Sequence, residues 1–406
     1  MKYLLSFFLI SAFFHSNGQD LDQVKKDLAV LASPELAGRG YVDDGLRKAA
    51  GFITSRLREM GLEPFEQEYG FAVNTFPKSS WVKIADTILR EGYDFIIDPR
   101  SGSFKGSGKI FRLDSAALLS DGIPELPDAA ISVIDTKGID TPEEVAVQHE
   151  FVQNALEKGP VILLKEKLTW SVGQQLYANP LIEVLDAVFP SEGDKVKISV
   201  APKEVNFTAT NIIAKVEGRR SDSLMVFTAH YDHLGKMGKA LFAGASDNAT
   251  GTATVLDLAN HYSQSKPEFD TYFIFFSGEE AGLIGSRYFV EYPTFELDKV
   301  KFLINLDLMG SAEKGITIVN GRLYQDHMTK MAAINKEENL VPKIKLRGKA
   351  ANSDHYWFSE MGVPAVFIYT EGNITAYHDV YDLPMVVDWS NYEEVFTLLV
   401  EFVKTL

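Results

Sequence analysis

The chain has 406 residues, 40 Lys and Arg against 56 Asp and Glu for a formal net charge of −16, and no cysteine. The missing sulfur excludes disulfide frameworks, cysteine-ligated metals, iron–sulfur clusters and thiol nucleophiles, and the acidic balance leaves nucleic acid without the basic footprint it requires. Apolar residues at 46% and charged residues at 24% fit a globular protein of two or three domains rather than a disordered chain.

Residues 1–18 combine Lys2, an apolar run over 4–14 and the small residues Ser16 and Gly18. They read as a secretory signal cut before Gln19, which predicts a secreted or periplasmic protein. The run is too short to span a bilayer, so no stable membrane insertion is expected. A helical stretch follows over 21–31, then the turn-rich segment 33–40, then helical spacing over 45–60 closed by Gly61. Over 85–205 the texture changes to short β-like runs at 93–97, 130–134, 160–164 and 195–200. From 206 onward, apolar strands at 223–228, 271–276, 301–306 and 364–369 alternate with helical patterns at 251–263, 281–292, 323–335 and 391–405. That alternation predicts an α/β fold with a mixed, mostly parallel sheet flanked by helices. The expected organisation is a discontinuous domain of 19–84 and 206–406, interrupted by an inserted β-rich domain at 85–205.

The strand ends carry the chemistry. The first runs into His230-Tyr231-Asp232-His233, the second into Gly278-Glu279-Glu280, the third into Asp307, and the fourth leads to Tyr377-His378-Asp379. Asp247 lies in a small-residue loop before the 251–263 helix. Ligands of open α/β sheets bind outside the carboxyl ends of the strands. Taken singly, a histidine at a strand end or a Glu-Glu pair at a helix start is ordinarily structural. Carboxylates gathered at one edge without matching basic residues instead need a cation. Two imidazoles and several carboxylates without sulfur suit zinc, with cobalt or manganese as substitutes, and five ligands suit two ions sharing a carboxylate. Asp247 is the best placed to bridge. Asp232, two residues after His230, can orient that ring. Of the adjacent Glu279 and Glu280, one as ligand and the other as general base is the economical division.

These segments resemble the co-catalytic zinc aminopeptidases of peptidase family 28. The motifs are Thr228-Ala229-His230-Tyr231-Asp232-His233-Leu234-Gly235, Gly244-Ala245-Ser246-Asp247-Asn248, Ser277-Gly278-Glu279-Glu280-Ala281-Gly282-Leu283, Asn305-Leu306-Asp307, Ser353-Asp354-His355 and Tyr377-His378-Asp379, in the family's order. The resemblance covers about 206–406, and Gly38-Arg39-Gly40 is similar to the family's opening segment. It implies the zinc-aminopeptidase/phosphorylase-like three-layer sandwich with a protease-associated-type insert. It also implies two Zn2+ ions, one held by His230, Asp247 and Asp307 and the other by Asp247, Glu280 and His378. Glu279 would be the general base, Asp232 the orienting carboxylate and Tyr377 a donor to the oxyanion. The implied substrates are peptides with a free N-terminus, hydrolysed by water activated at the metals. Rival members of the fold are single-zinc glutaminyl cyclases, glutamate carboxypeptidase-like hydrolases and inert receptor homologues. Asp354 and His355 are expected in support, and His149, His261 and His327 in structural or surface roles. Asn206, Asn248 and Asn373 open glycosylation triplets.

Overall fold

The structure is a computed structural model that describes residues 20–119, 130–190 and 195–406. The expected signal at 1–18 lies outside the described residues. Two eight-stranded sheets organise the chain. In the first, the order is Phe65–Thr75, Lys203–Val216, Phe269–Phe276, Arg220–His230, Val300–Leu306, Ala365–Glu371, Gly315–Val319 and Ile344–Leu346. Its four central strands, Phe269–Phe276 through Ala365–Glu371, are mutually parallel. The outer pairs of Phe65–Thr75 with Lys203–Val216 and of Gly315–Val319 with Ala365–Glu371 are antiparallel. The sheet is therefore mixed with a parallel centre, as the sequence predicts.

Apolar residues cover both faces because side chains alternate along each strand. Met225, Phe227 and Ala229 pack on one side in a core shared with Leu256, Leu399 and Phe402. Leu224 and Val226 pack on the other, with Phe289 and Phe358. The helices Leu21–Leu31, Gly45–Glu59, Thr250–Gln264, Gln325–Glu338 and Tyr392–Val403 fall within a few residues of the expected segments.

The middle block forms the second sheet, whose centre (Phe104–Leu113, Ile131–Asp135, Val161–Lys165, Leu181–Leu185) is parallel. It also carries a helix, Pro142–Lys158, closed at its start by a capping box of Thr141 and Glu144, which periodicity in the sequence had not separated from the β-like runs. Its boundaries differ from the expected 85 and 205. Trp81–Ile84 pairs with Lys195–Val200 in the second sheet. Lys203 onward joins the first, through an eleven-pair ladder from Phe65↔Ile213 to Thr75↔Lys203. The two units share a core. The hairpin Gly235–Met237 and Ala240–Phe242 buries Met237, Ala240 and Phe242 among Phe76, Val82, Ile97 and Trp170. Among the described residues, no helix is long and apolar enough to cross a membrane.

Candidate metal centre and active site

Three of the candidate positions are delivered by the ends of parallel strands, and Asp247 and His378 by loops beside them. His230 closes its strand, Asp307 follows Leu306, and Glu279 and Glu280 sit in the turn after Phe276. That turn runs through Gly278, Gly282 and Leu283 at positive φ, so the next helix begins at Ile284 rather than at 281, and both glutamates stay at the sheet edge. His378 lies beyond Glu371, with its own φ at +53°.

The residues converge on Asp247. Its Oδ1 lies 3.3 Å from His230 Nε2, and its Oδ2 lies 3.0 Å from His378 Nε2. His230 Nε2 is also 3.4 Å from Asp307 Oδ2, and His378 Nε2 is 3.2 Å from Glu280 Oε2. Two overlapping triads, His230 with Glu279 and Asp307, and His230 with Asp247 and Glu280, keep their ligand atoms within 4.8 Å of one another. All these groups line one cavity of about 210 Å³ together with Tyr377, Phe367, Tyr369 and Arg347.

Burial and crowding set the proton balance. Burial drives Glu279 well above the ordinary carboxylate range, with Glu280, Asp354 and Asp307 adding to it and His230 opposing it. Burial also works against ionised Glu280, yet His378 and His233 hold it down at about 2. His378 is raised to about 11, the loss of solvation being outweighed by Glu280 and Asp247. Burial likewise disfavours Asp247 as an anion, and the imidazoles of His230 and His378 nevertheless pull it far below its usual value. The two histidines thus hold positive charge at the points where a cation would compensate the same carboxylates. Buried Asp307 Oδ1 and His233 Nε2 have no hydrogen-bond partner among the described residues. The donor set, spacing and orphaned oxygen fit divalent metal.

The expected contact of the Asp232 carboxylate with His230 is a long one. The Asp232 carbonyl is the nearer acceptor for His230 Nδ1, at 3.2 Å, while its carboxylate Oδ1 is 3.7 Å away. The carboxylate instead accepts the backbone N–H groups of Glu279 (3.2 Å) and Glu280 (3.3 Å) and the Tyr41 hydroxyl (3.1 Å). It fixes the Glu-Glu turn. Tyr377 lies flat on the His378 ring, centroids 4.0 Å apart and planes 11° apart. Within the Ser353-Asp354-His355 motif, Ser353 Oγ donates to Asp307 Oδ2 at 3.3 Å, while the Asp354 carboxylate and the His355 ring are buried without a hydrogen-bond partner among the described residues. Asn248 is fully buried, and its side chain joins Leu306 O, Gly251 N and Leu308 N. That geometry excludes a glycan there.

Four participants were given no role by the sequence. Arg39, fully buried, donates to the carbonyls of Tyr231, Leu31, Ala243, Gly244 and Asp247 at 2.7–3.2 Å. Burial lowers its guanidinium to about 10. A Cβ on the following Gly40 would meet Gly235 Cα at 2.4 Å, which explains the glycine beside the arginine. Asp382 accepts the N–H groups of Ser246 and Asp247. His233 Nδ1 lies 2.7 Å from Glu280 Oε1. Trp170, from the inserted unit, pairs with His378: its carbonyl accepts from Nδ1 at 3.1 Å, and its N–H donates to the His378 carbonyl at 2.8 Å. Of these, only Arg39 and His233 stand in segments that the sequence marks, Gly38-Arg39-Gly40 and the 228–235 motif.

Known proteins resemble this arrangement. Residues 211–403 match the profile of Peptidase family M28. A vacuolar membrane protease of Candida glabrata is 31% identical over 119 residues, 29% of this chain and 12% of that protein. Leucine aminopeptidase 1 of Arthroderma otae is 28% identical over 223 residues, 50% of this chain and 56% of that protein. The chain thus spans about a tenth to just over half of the length of these relatives. Among solved structures, a zinc aminopeptidase from Bacillus subtilis superposes with a TM-score of 0.71 at 19% identity, covering 95% of this chain and 94% of that one. A glutaminyl cyclase of Porphyromonas gingivalis gives 0.51 at 14% identity over 95% and 98%. The fold is shared with both. Residues 211–403, which hold every one of the candidate ligands, are the part of the chain that matches peptidase family M28.

Proposed function

We propose that this protein is an exported zinc-dependent aminopeptidase with two metal ions. One observation carries the reading: the buried Asp247 carboxylate turns one oxygen to His230 and the other to His378, the placement of a bridging ligand. One ion would be held by His230, Asp247 and Asp307, the other by Asp247, Glu280 and His378. Zinc is favoured over cobalt or manganese by the mixed imidazole–carboxylate donors and by the zinc aminopeptidase likeness. Two bound divalent ions polarise a scissile carbonyl and activate water at neutral pH.

The chain's own residues do the rest. Glu279, buried against the cavity, takes a proton from the attacking water and returns it to the departing amine. Its raised affinity for a proton suits a group that must hold one between those events. Asp232 keeps Glu279 and Glu280 in register through their backbone N–H groups. The Tyr377 phenol, beside the last ligand, donates to the oxyanion as the carbonyl becomes tetrahedral. The substrate is a peptide with a free N-terminus, and residues 1–18 direct export to the periplasm or outside the cell.

The test is to strip the purified protein with a chelator, reload zinc and assay aminoacyl chromogenic amides beside Gln-initiated and glutamate-ending peptides. Zinc-dependent release from the amides, at two ions per chain, is expected. Cyclisation of N-terminal Gln with a single ion, exclusive release of C-terminal glutamate, or a zinc-loaded protein inert to all of them would each replace this reading.

A further inference from the structure

We propose that the inserted unit completes the metal centre: the strap Lys167–Val172, and Trp170 within it, positions His378 as a ligand. This rests on the two-metal reading above. His378 sits in left-handed backbone, φ +53°, a conformation unfavourable for a non-glycine residue that persists only where neighbours impose it. The neighbour is Trp170. Its N–H and carbonyl close a two-bond ring on His378. The acceptor at Nδ1 also holds the ring proton there, so that Nε2, which faces Asp247 and Glu280, is the nitrogen a metal would take in place of its proton.

Trp170 is itself held by the insert and by the shared core. Its indole Nε1 donates to Ile97 O at 2.7 Å, and its ring stacks on Phe242 with centroids 4.5 Å apart. Three residues earlier, Lys167 Nζ donates to Thr375 O at 3.1 Å and lies 3.5 Å from Asp379 Oδ2. The strap thus grips the 375–379 loop on both sides of Tyr377 and His378. A unit whose own sheet lies elsewhere supplies the orienting acceptor of a ligand, so its folding and one metal position form a single unit.

Trp170→Ala removes the indole anchor. Phe76→Ala removes another buried ring of the same core, 6.2 Å from Trp170, that is not part of the strap. In the full chain, zinc content should be read against a competing chelator, with far-UV circular dichroism to establish folding and KM and kcat measured alongside. Trp170→Ala should weaken one of two zinc sites roughly 10- to 100-fold, while Phe76→Ala keeps both. Trp170→Phe should largely rescue it. Should Trp170→Ala fail to fold, Lys167→Ala at the exposed end of the strap and Trp170→Phe carry the test, each weakening the same site by a smaller factor. Equal zinc loss in Trp170→Ala and Phe76→Ala, or none in any strap variant, overturns the inference. A wild type holding one zinc would instead sink the two-metal reading.

A different observation bears on substrate. Arg347 lines the same cavity, its Nη1 donating to the Tyr369 hydroxyl at 3.2 Å. Among the described residues it pairs with no carboxylate within 4 Å. Two divalent ions would offset the charges of Asp247, Glu279, Glu280 and Asp307, which leaves Arg347 as the cavity's unanswered charge. The geometry points to a substrate carboxylate beside the scissile bond, an acidic N-terminal side chain or the α-carboxylate of a dipeptide. Glu- and Gln-amides, and Leu-Gly with its amide, separate the two sources. Wild-type enzyme should prefer the acid in one pair, and Arg347→Gln should cut that preference roughly 10- to 100-fold. Cleavage without acid preference in either pair, or a preference unchanged by Arg347→Gln, overturns the assignment. No cleavage of any of the four would count against the peptidase reading itself.

Discussion

Asp382 Oδ2 accepts the backbone N–H of Asp247 at 3.0 Å, across 135 residues of chain, while its Oδ1 takes that of Ser246 at 2.8 Å. The loop that offers Asp247 to two histidines is therefore held by a carboxylate that touches neither. Asp382→Ala leaves both amides without an acceptor and lets the loop drift. Zinc affinity, measured by competition with a chromogenic chelator, is expected to fall roughly 10- to 100-fold. An unchanged affinity would show that the loop holds its shape without Asp382.

Glu279→Gln keeps the size and the buried position of the side chain but removes its ability to take a proton. Turnover on aminoacyl amides should drop about 10²- to 10⁴-fold, with zinc content and KM close to wild type. Loss of metal in this variant would make Glu279 a ligand rather than the base.

Arg39 should matter for stability. Its five carbonyl partners come from residues 31, 231, 243, 244 and 247, so it ties the first helix to the two loops at the centre. Arg39→Met strands buried acceptors and should cost about 3–5 kcal/mol, read from the urea midpoint. Arg39→Lys should rescue little of this, because an ammonium has three donors and no planar fork.

Asp257 supplies a pH dependence away from the metal centre. It accepts from Asp20 N–H and the Tyr392 hydroxyl, and burial raises it to about 6. A carboxyl whose proton affinity is higher in the folded state contributes stability below about pH 4 that is lost as pH rises through about 6. Asp257→Asn mimics the protonated form at every pH. It should therefore be more stable than wild type by about 1–3 kcal/mol at pH 7.5 and nearly equal at pH 4, in paired thermal melts. A variant that is less stable at pH 7.5 would mean that the charged carboxylate is the form the fold requires.

Most of the centre was legible because it follows a rule of position. Buried strands are recognisable as apolar runs, and the polar residues that end them must share one edge of a parallel sheet. His230, Asp307 and the Glu279–Glu280 pair need nothing more, and Asp247 and His378 come next in the loops. The residues that hold them were not legible. Arg39, Asp382 and Trp170 act through backbone atoms of partners more than 130 residues distant, and a backbone carbonyl has no sequence. The Phe65–Thr75 strand escaped notice for another reason. It lies at the sheet margin, with its first half largely exposed, so its apolar residues do not alternate cleanly. The insert's first strand was assigned to the wrong side of the boundary because Trp81–Ile84 pairs with a segment more than 110 residues later.

The ladder between Phe65–Thr75 and Lys203–Val216 sets an order of events during synthesis. Its first strand leaves the ribosome about 130 residues before its partner, roughly 10 s at ordinary elongation rates. In that interval most of the second sheet is available and the first has no neighbour for its edge. Trp170 is thus made before His378, and the strap can be in place before the ligand that it is to hold emerges. Of the centre's residues, His378 and Asp382 are the last to emerge, so the metal site closes only late in synthesis.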